Sequence, residues 1–376
     1  MAALPPLIAK AQKTTVPWLS RIDSEGDIVL GSVLRAVRNL PGFPFPGWSS
    51  DESRRLVAEQ LSKELSGIRR LGLSRFTDVS ELSFDQRRML LERKLITPCM
   101  AARQQGCSIA LNRKGNVCVM LNEEEHLVVH MLYGGGHFDE HLRRARELMA
   151  EIDGHISFAT HEKLGFLTSN PHEAGDGLQL YLMLHLPALA LADMTEQVGR
   201  ACDKLNLQFT PLFGSDDDDE SHGFLLCAGP TPVGQSDELF RRAISTAAEI
   251  RRKEEMLRIK LIAERPLELC DQVGRSYGQL RYAHRLNYAE FRRLLSVLIL
   301  GAGLDIVRSD EVTDPPLLMR LLAEGLIELA PGSLALSKVT KESEQDAARA
   351  YSLLQMFRHL RFHFCSPYFS SPSDHE

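Results

Sequence analysis

The seven cysteines of this 376-residue chain, Cys99, Cys107, Cys118, Cys202, Cys227, Cys270 and Cys365, include no pair at CxxC spacing. An odd set without paired spacing argues against a disulfide scaffold or a structural zinc site and suits a reducing compartment. Positive charge is not in excess: 44 Lys and Arg stand against 50 Asp and Glu, a formal net charge of -6. No nucleic-acid partner is expected from that balance. Long apolar runs are missing too. The stretch LLSVLIL at 294–300 is far too short to cross a bilayer, and the first residues, MAALPPLIAKAQK, lack the apolar core of a signal peptide. There is no Walker A motif, no GxGxxG, no internal repeat and no sustained heptad. A cytoplasmic protein with no membrane partner is the expectation. Its 44% hydrophobic and 25% charged residues are ordinary globular composition.

Residues 1–50 read as irregular, punctuated by proline and glycine, most densely in PGFPFPG at 41–47. Helical patterns follow over 51–70 and 83–94. CSIALNR (107–113) and VCVMLN (117–122) flank a Lys-Gly turn and predict a hairpin. Residues 136–152 and 190–205 read as helices, and 178–186, 207–213 and 223–229 as strands. Ser236 is placed to cap a long helix to about Glu264, with Asp237 and Glu238 in its first turn. Pro266 marks a fresh start, after which the pattern is wholly helical, with Asn287 and Glu290 as a capping pair. The expected fold is α+β, in three parts. These are an N-terminal segment with a small helical unit (1–95), an antiparallel-sheet domain (96–260) and a helical C-terminal domain (261–376).

The densest polar cluster is Asn122, Glu123, Glu124, Glu125 and His126 at the end of a strand pattern. Alternation puts Glu124 and His126 on one face, where a carboxylate beside an imidazole could orient and deprotonate a donor; three consecutive acids also suit a solvated turn. Arg35 and Arg38, three apart, share a face if their segment is helical and could grip phosphate, or be ordinary surface arginines. SNPHEAGDG (169–177) reads as a flexible loop able to enter a site. The acids at 216–220 lack the alternation of a calcium loop and read as solvated. Lone histidines such as His161 and His185 read as structural.

Four ordered blocks, VLGSVLRAVRNLPGFPFP (29–46), LNEEEHL (121–127), HEKLGFLTSNPHEAGDGLQLYLMLHLPAL (161–189) and a strand ending in LFG (212–214), resemble the signature blocks of the ATP:guanido phosphotransferases. The resemblance spans roughly residues 20–360 and, through the helical C-terminal domain, is greatest to the bacterial protein-arginine kinase branch. It implies a glutamine-synthetase-like antiparallel sheet that moves a phosphoryl group between Mg-ATP and a guanidinium. The family's catalytic glutamate falls on Glu124, with Glu123 and His126 also matching. Of the phosphate-holding cations Arg35 remains, with Arg38 beside it, and Lys94 stands where the family has a histidine. Family arginines are replaced by Val33, Val128, Gln179 and Thr210, a glutamate by Ser215 and a cysteine by Asn170. In the C-terminal domain, the branch's phosphoarginine-pocket motif falls on Gln345–Ala350, leaving Asp346 and Arg349 as pocket candidates or as an ordinary helix ion pair.

Taken together, these features point to a catalytically impaired, pseudokinase-like binding or regulatory protein for arginine- or phosphoarginine-containing proteins, working with a partner kinase or a Clp-type protease system. No resident metal or cofactor is expected in that case, and Mg-ATP if the chain is active. The alternatives are an active protein-arginine kinase with a rearranged nucleotide site and, last, a kinase of small guanidino compounds. The branch also implies a homodimer, for which the apolar Leu294–Leu300 run is the sequence support.

Overall fold

A strand stands at the centre of the molecule where an irregular segment was expected. In a computed structural model, which describes residues 4–20, 28–103, 105–213, 221–360 and 362–364, β1 (Val29–Arg38) is buried along all ten residues. A strand covered on both faces reads as a near-continuous apolar run rather than as alternation, so periodicity does not reveal it. β1 is flanked by β5 (Leu127–Gly134) on one side and β8 (Leu178–His185) on the other. Outward from β5 lie β4 (Val117–Leu121), β3 (Ser108–Leu111) and β2 (Thr77–Asp78). Outward from β8 lie β10 (Gly223–Ala228) and β9 (Gln208–Pro211), and every pairing in the eight-stranded sheet is antiparallel. The expected hairpin is β3–β4. The two-residue strands β6 (Thr160–His161) and β7 (Gly165–Phe166) pair apart from this sheet.

The two faces of the sheet have different partners. Leu34, Ala36, Val129, Met131, Leu180 and Leu182 belong to one apolar cluster with α2 (Asp51–Gly67), α5 (Phe138–His155), α7 (Thr195–Asp203) and α8 (Ser236–Glu264). Alternate residues Val33, Val37, Val128, Leu132 and Met183 belong to a second cluster. That cluster also takes in α1 (Pro6–Lys13), α3 (Phe84–Glu92), α4 (Pro98–Ala102) and the C-terminal helices. Because side chains alternate along a strand, Arg35 and Arg38 point to opposite faces. The shared helical face expected for them does not exist.

The pattern over 190–205 is two helices, α6 (Pro187–Leu191) and α7, separated by Asp193 at φ 54°. Ser236 does not cap α8 with its side chain; its amide donates to Asp176 Oδ2 at 3.1 Å. α8 ends at Glu264 and α9 (Pro266–Tyr282) begins at the proline, followed by α10 (Tyr288–Gly303), which Asn287 caps as expected. α11 (Pro315–Glu328), α12 (Pro331–Leu336) and α13 (Glu342–Leu360) complete the helical region. That region is not wholly helical: β11 (Val307–Ser309) pairs with β12 (Phe362–Phe364). The Leu294–Leu300 run is core within the single chain, with Leu295, Leu298 and Leu300 all at 0% exposure, so it is not a surface for a second copy.

The C-terminal helices lock onto the N-terminal helical unit. Gly332 at the start of α12 donates its amide to Glu92 of α3, and a Cβ there would lie 2.5 Å from the Met89 nitrogen. Arg93, only 1% exposed, pairs with Glu328 at 2.5 Å and donates to the Thr14 carbonyl. No helix among the described residues is long and apolar enough to cross a membrane. The acidic run 216–220 lies outside the described residues.

Candidate functional site

An open cleft lies on the sheet face that carries Val33, and β1, β5 and β8 supply its floor. Register aligns His130, Arg35 and Gln179 across these three strands. Arg35 donates from Nη2 to Glu123 Oε2 and from Nη1 to Gln179 Oε1, both at 3.3 Å, and Tyr181 Oη donates to the same Gln179 oxygen at 2.6 Å. Glu123 is 1% exposed and also accepts from the Thr97 hydroxyl and, at 2.8 Å, from the Glu124 amide. This buried carboxylate is therefore engaged at both oxygens. It holds Arg35 in place and shapes the turn that presents Glu124.

Glu124 differs from its neighbour in every respect that matters for binding. Its side chain is 55% exposed and its nearest cation is Arg35 Nη2 at 3.8 Å. Partial burial, then the negative charge of Glu123, raises its pKa above the usual carboxylate value, while Arg35 acts in the opposite direction. A half-open acceptor backed by a fixed Arg–Glu pair is suited to receive a cationic donor. Lys94, at φ 60°, also lines the cleft, with Nζ on the Leu212 carbonyl and the ring of Phe213 5.3 Å away.

The 169–177 segment is not a loose loop. Glu125, 2% exposed, accepts from Ser169 Oγ at 2.8 Å, from the Ser169 amide at 2.9 Å and from Asn39 Nδ2 at 2.5 Å. Asp176 accepts from the amides of Gly234 and Ser236, and Gly175 pairs with Phe166. Gly175 is required there: a Cβ would lie 1.8 Å from the Thr231 oxygen. Held at both ends, the segment brings Glu173 to the cleft wall. A Glu125→Ala variant is expected to lose about 3 kcal/mol, because charge-assisted hydrogen bonds contribute roughly 1.5–3 kcal/mol each and buried donors are left unpaired. Urea unfolding measures the loss, and faster hydrogen exchange at the Ser169 amide localises it. An unchanged midpoint would show that the segment is held by other contacts.

Two candidates lie outside the cleft. Arg38 forms a two-pronged ion pair with Asp153 of α5, at 2.8 and 2.9 Å, and its guanidinium sits 3.4 Å over the Phe166 ring. Its position on the other face of the sheet removes it from any phosphate site here. His126, 1% exposed, accepts the Leu40 amide at Nδ1 and faces the Pro44 carbonyl with Nε2, both at 3.0 Å. Burial lowers its pKa, so this neutral ring organises the 40–44 turn rather than sharing a face with Glu124. Far from the cleft, Asp346 and Arg349 are the i,i+3 ion pair, at 3.1 Å; Arg349 is 1% exposed and also donates to the carbonyls of Leu286 and Leu329. Its guanidinium is buried against these main-chain carbonyls. Sequence reading missed His130, and it singled out the 169–177 segment without picking Glu173 within it. The histidine interrupting the apolar LVVHML run was a visible signal for the first; the segment was marked for the second, but not which of its residues faces the cleft.

Comparison with known proteins places this geometry. A family model for the ATP:guanido phosphotransferase C-terminal catalytic domain matches residues 56–255. The chain belongs to the ATP:guanido phosphotransferase family. A model for the C-terminal domain of the protein-arginine kinase McsB matches residues 266–365 of this family member. The chain is similar to the protein-arginine kinase of Shouchella clausii, 28% identical over 90% of this chain and 94% of that protein. The protein-arginine kinase of Bacillus cereus is 29% identical over 84% of this chain and 90% of that one. In fold the chain resembles the duplicated taurocyamine kinase of Schistosoma mansoni, with a TM-score of 0.55 and 19% identity, covering 70% of this chain and 39% of that one. Lombricine kinase gives 0.54 at 18% identity, over 66% and 70%. The antiparallel phosphagen-kinase architecture and the likeness to McsB-type kinases are thus as the sequence blocks implied.

Proposed function

We propose that this family member recognises guanidinium groups of protein arginine side chains at Glu124 and transfers phosphoryl groups poorly or not at all, acting as a binding or regulatory protein. The observation that carries this reading is the charge inventory of the cleft. Its described lining has two cations, Arg35 and Lys94, against three carboxylates, Glu123, Glu124 and Glu173. Both cations are already engaged. A nucleotide polyphosphate carries several negative charges that need cationic partners, and a lining with more carboxylates than cations disfavours it. Val33, Val128 and Gln179, on the same sheet face as Arg35, add no cation. The carboxylates suit a guanidinium instead.

A second reading has its own support. Similarity to protein-arginine kinases over nine-tenths of the chain, with matches in both the catalytic and the C-terminal domain, directly favours an active ATP:protein-arginine phosphotransferase with a rearranged nucleotide site. Calorimetric titration separates the two. Mg-ATP is expected to give no saturable heat, whereas butylguanidine binds and loses affinity in Glu124→Gln. Its affinity should weaken as pH falls, because protonation removes the charge the cation pairs with. The decline should begin above 4.5, the ordinary glutamate value, because the Glu124 pKa is raised. Micromolar Mg-ATP binding would favour the second reading.

A further inference from the structure

Glu173 also lines the cleft, as a carboxylate with open acceptor capacity. Glu173 receives one hydrogen bond at Oε1, from the neutral amide of Asn170 at 3.2 Å, and among the described residues no cation lies within ion-pair distance of it. Its charge is felt at Glu124, whose pKa it raises further. The anchoring of the 169–177 segment by Glu125 and Asp176 fixes Glu173 at the cleft rather than leaving it to swing into solvent.

An independent observation concerns His130. The residue is 7% exposed and lines the same cleft, yet its Nδ1 is buried without a hydrogen-bond partner. Burial, reinforced by Arg35 alongside, pushes its pKa to about 4, so the ring is neutral near pH 7. Main-chain groups of Lys94 and Leu95 lie against the ring and act in the opposite direction. The cleft therefore has an open acid on each of two walls and a neutral ring at the floor.

We propose that Glu173 is a second cation-recognising group, so that the cleft selects guanidino ligands carrying a further positive charge: the guanidinium at Glu124 and the second cation at Glu173. This rests on the guanidinium reading of Glu124. The same chemistry occurs in a small guanidino-amine and in a polypeptide with arginine beside lysine. Glu123 is already paired with Arg35 at 3.3 Å, so Glu124 and Glu173 are the two carboxylates left facing the cleft, and a ligand with two separated cations can meet both.

The test compares matched ligands on the full chain by calorimetry at low ionic strength. Agmatine, with a guanidinium and an ammonium, is set against butylguanidine, which lacks the second charge. Ac-Lys-Arg-Ala-amide is set against Ac-Ala-Arg-Ala-amide. Each dication is expected to bind about fivefold more tightly than its partner, the value of an ion pair of about 1 kcal/mol. In Glu173→Gln the ratio should collapse toward one, with the thermal midpoint unchanged to show that the fold is intact. A ratio confined to the peptides assigns the second charge to a polypeptide neighbour; a ratio confined to agmatine assigns it to a small guanidino-amine. Equal affinities in both wild-type pairs, or a ratio that survives Glu173→Gln, would overturn the proposal while leaving Glu124 recognition standing. Failure of every ligand to bind, or binding indifferent to Glu124→Gln, would overturn the guanidinium reading itself.

Discussion

Incubated with Mg-ATP and an arginine-rich unfolded protein, the purified chain is expected to form acid-labile phosphoarginine about four powers of ten more slowly than a family member with its phosphate-holding arginines intact. Glu124 can orient a guanidinium and take its proton, but it cannot offset charge on the transferring phosphoryl oxygens; donors and metal must do that. Val33 is 6% exposed between Leu132 and Tyr181, and Val128 is fully buried opposite Val37. Neither has a donor, and neither side chain has room to be replaced by a neighbour's cation without repacking this face of the sheet. Charge-assisted hydrogen bonds contribute roughly 1.5–3 kcal/mol each, so the two valines together remove about 3–6 kcal/mol. At about 1.4 kcal/mol per tenfold, that is two to four powers of ten, before Gln179 and Thr210 are counted. The contributions are not strictly additive. Mass spectrometry under conditions that preserve phosphoarginine makes the measurement, with Glu124→Gln as the guard against a contaminating kinase. Product at a rate within tenfold of an intact relative, lost in that control, would reverse the reading and make this chain an active kinase.

Arg349→Ala is expected to destabilise the protein by about 3–5 kcal/mol, the usual range when one partner of a buried charged network is removed. The guanidinium spans three elements. It reaches the Leu286 carbonyl before α10, the Leu329 carbonyl after α11 and Asp346 within α13, and it lies over the rings of Tyr288 and Phe291 at 5.4 and 5.9 Å. Alanine would leave two main-chain carbonyls without their donor, leave Asp346 only the more distant Arg285 at 3.7 Å, and open a cavity between three helices. Arg349→Lys should recover little, since an ammonium lacks the planar fork that serves all three acceptors. Urea unfolding reads the effect, and butylguanidine affinity measured well below the transition should stay as in the wild type. Unchanged stability together with lost affinity for phosphoarginine would instead identify Arg349 as a ligand-binding group.

These expectations divide along the line between local and long-range information. The hairpin β3–β4, the helices α5, α8, α9 and α10, and the Asn287 cap were legible because amphipathic periodicity, turn chemistry and capping act over a few residues. The ordered blocks around Arg35, Glu124 and Asn170 gave the family and hence the sheet. What the sequence left open depended on both neighbours of a segment. β1 was hidden because burial on two faces erases alternation, and with it went the knowledge that Arg35 and Arg38 part company across the sheet. The three acids of the 123–125 turn look alike in sequence. Tertiary contacts give them different roles, because Arg35 and Thr97 occupy Glu123, Ser169 and Asn39 occupy Glu125, and only Glu124 keeps open acceptor capacity. Arg349 and Asp346 were correctly paired by their spacing, but whether that pair faced a ligand or the core was decided by carbonyls 20 and 63 residues away in the chain. Side-chain chemistry is a property of the residue; which partner satisfies it is a property of the packed chain, and at this cleft the partners determine the charge that is left to bind.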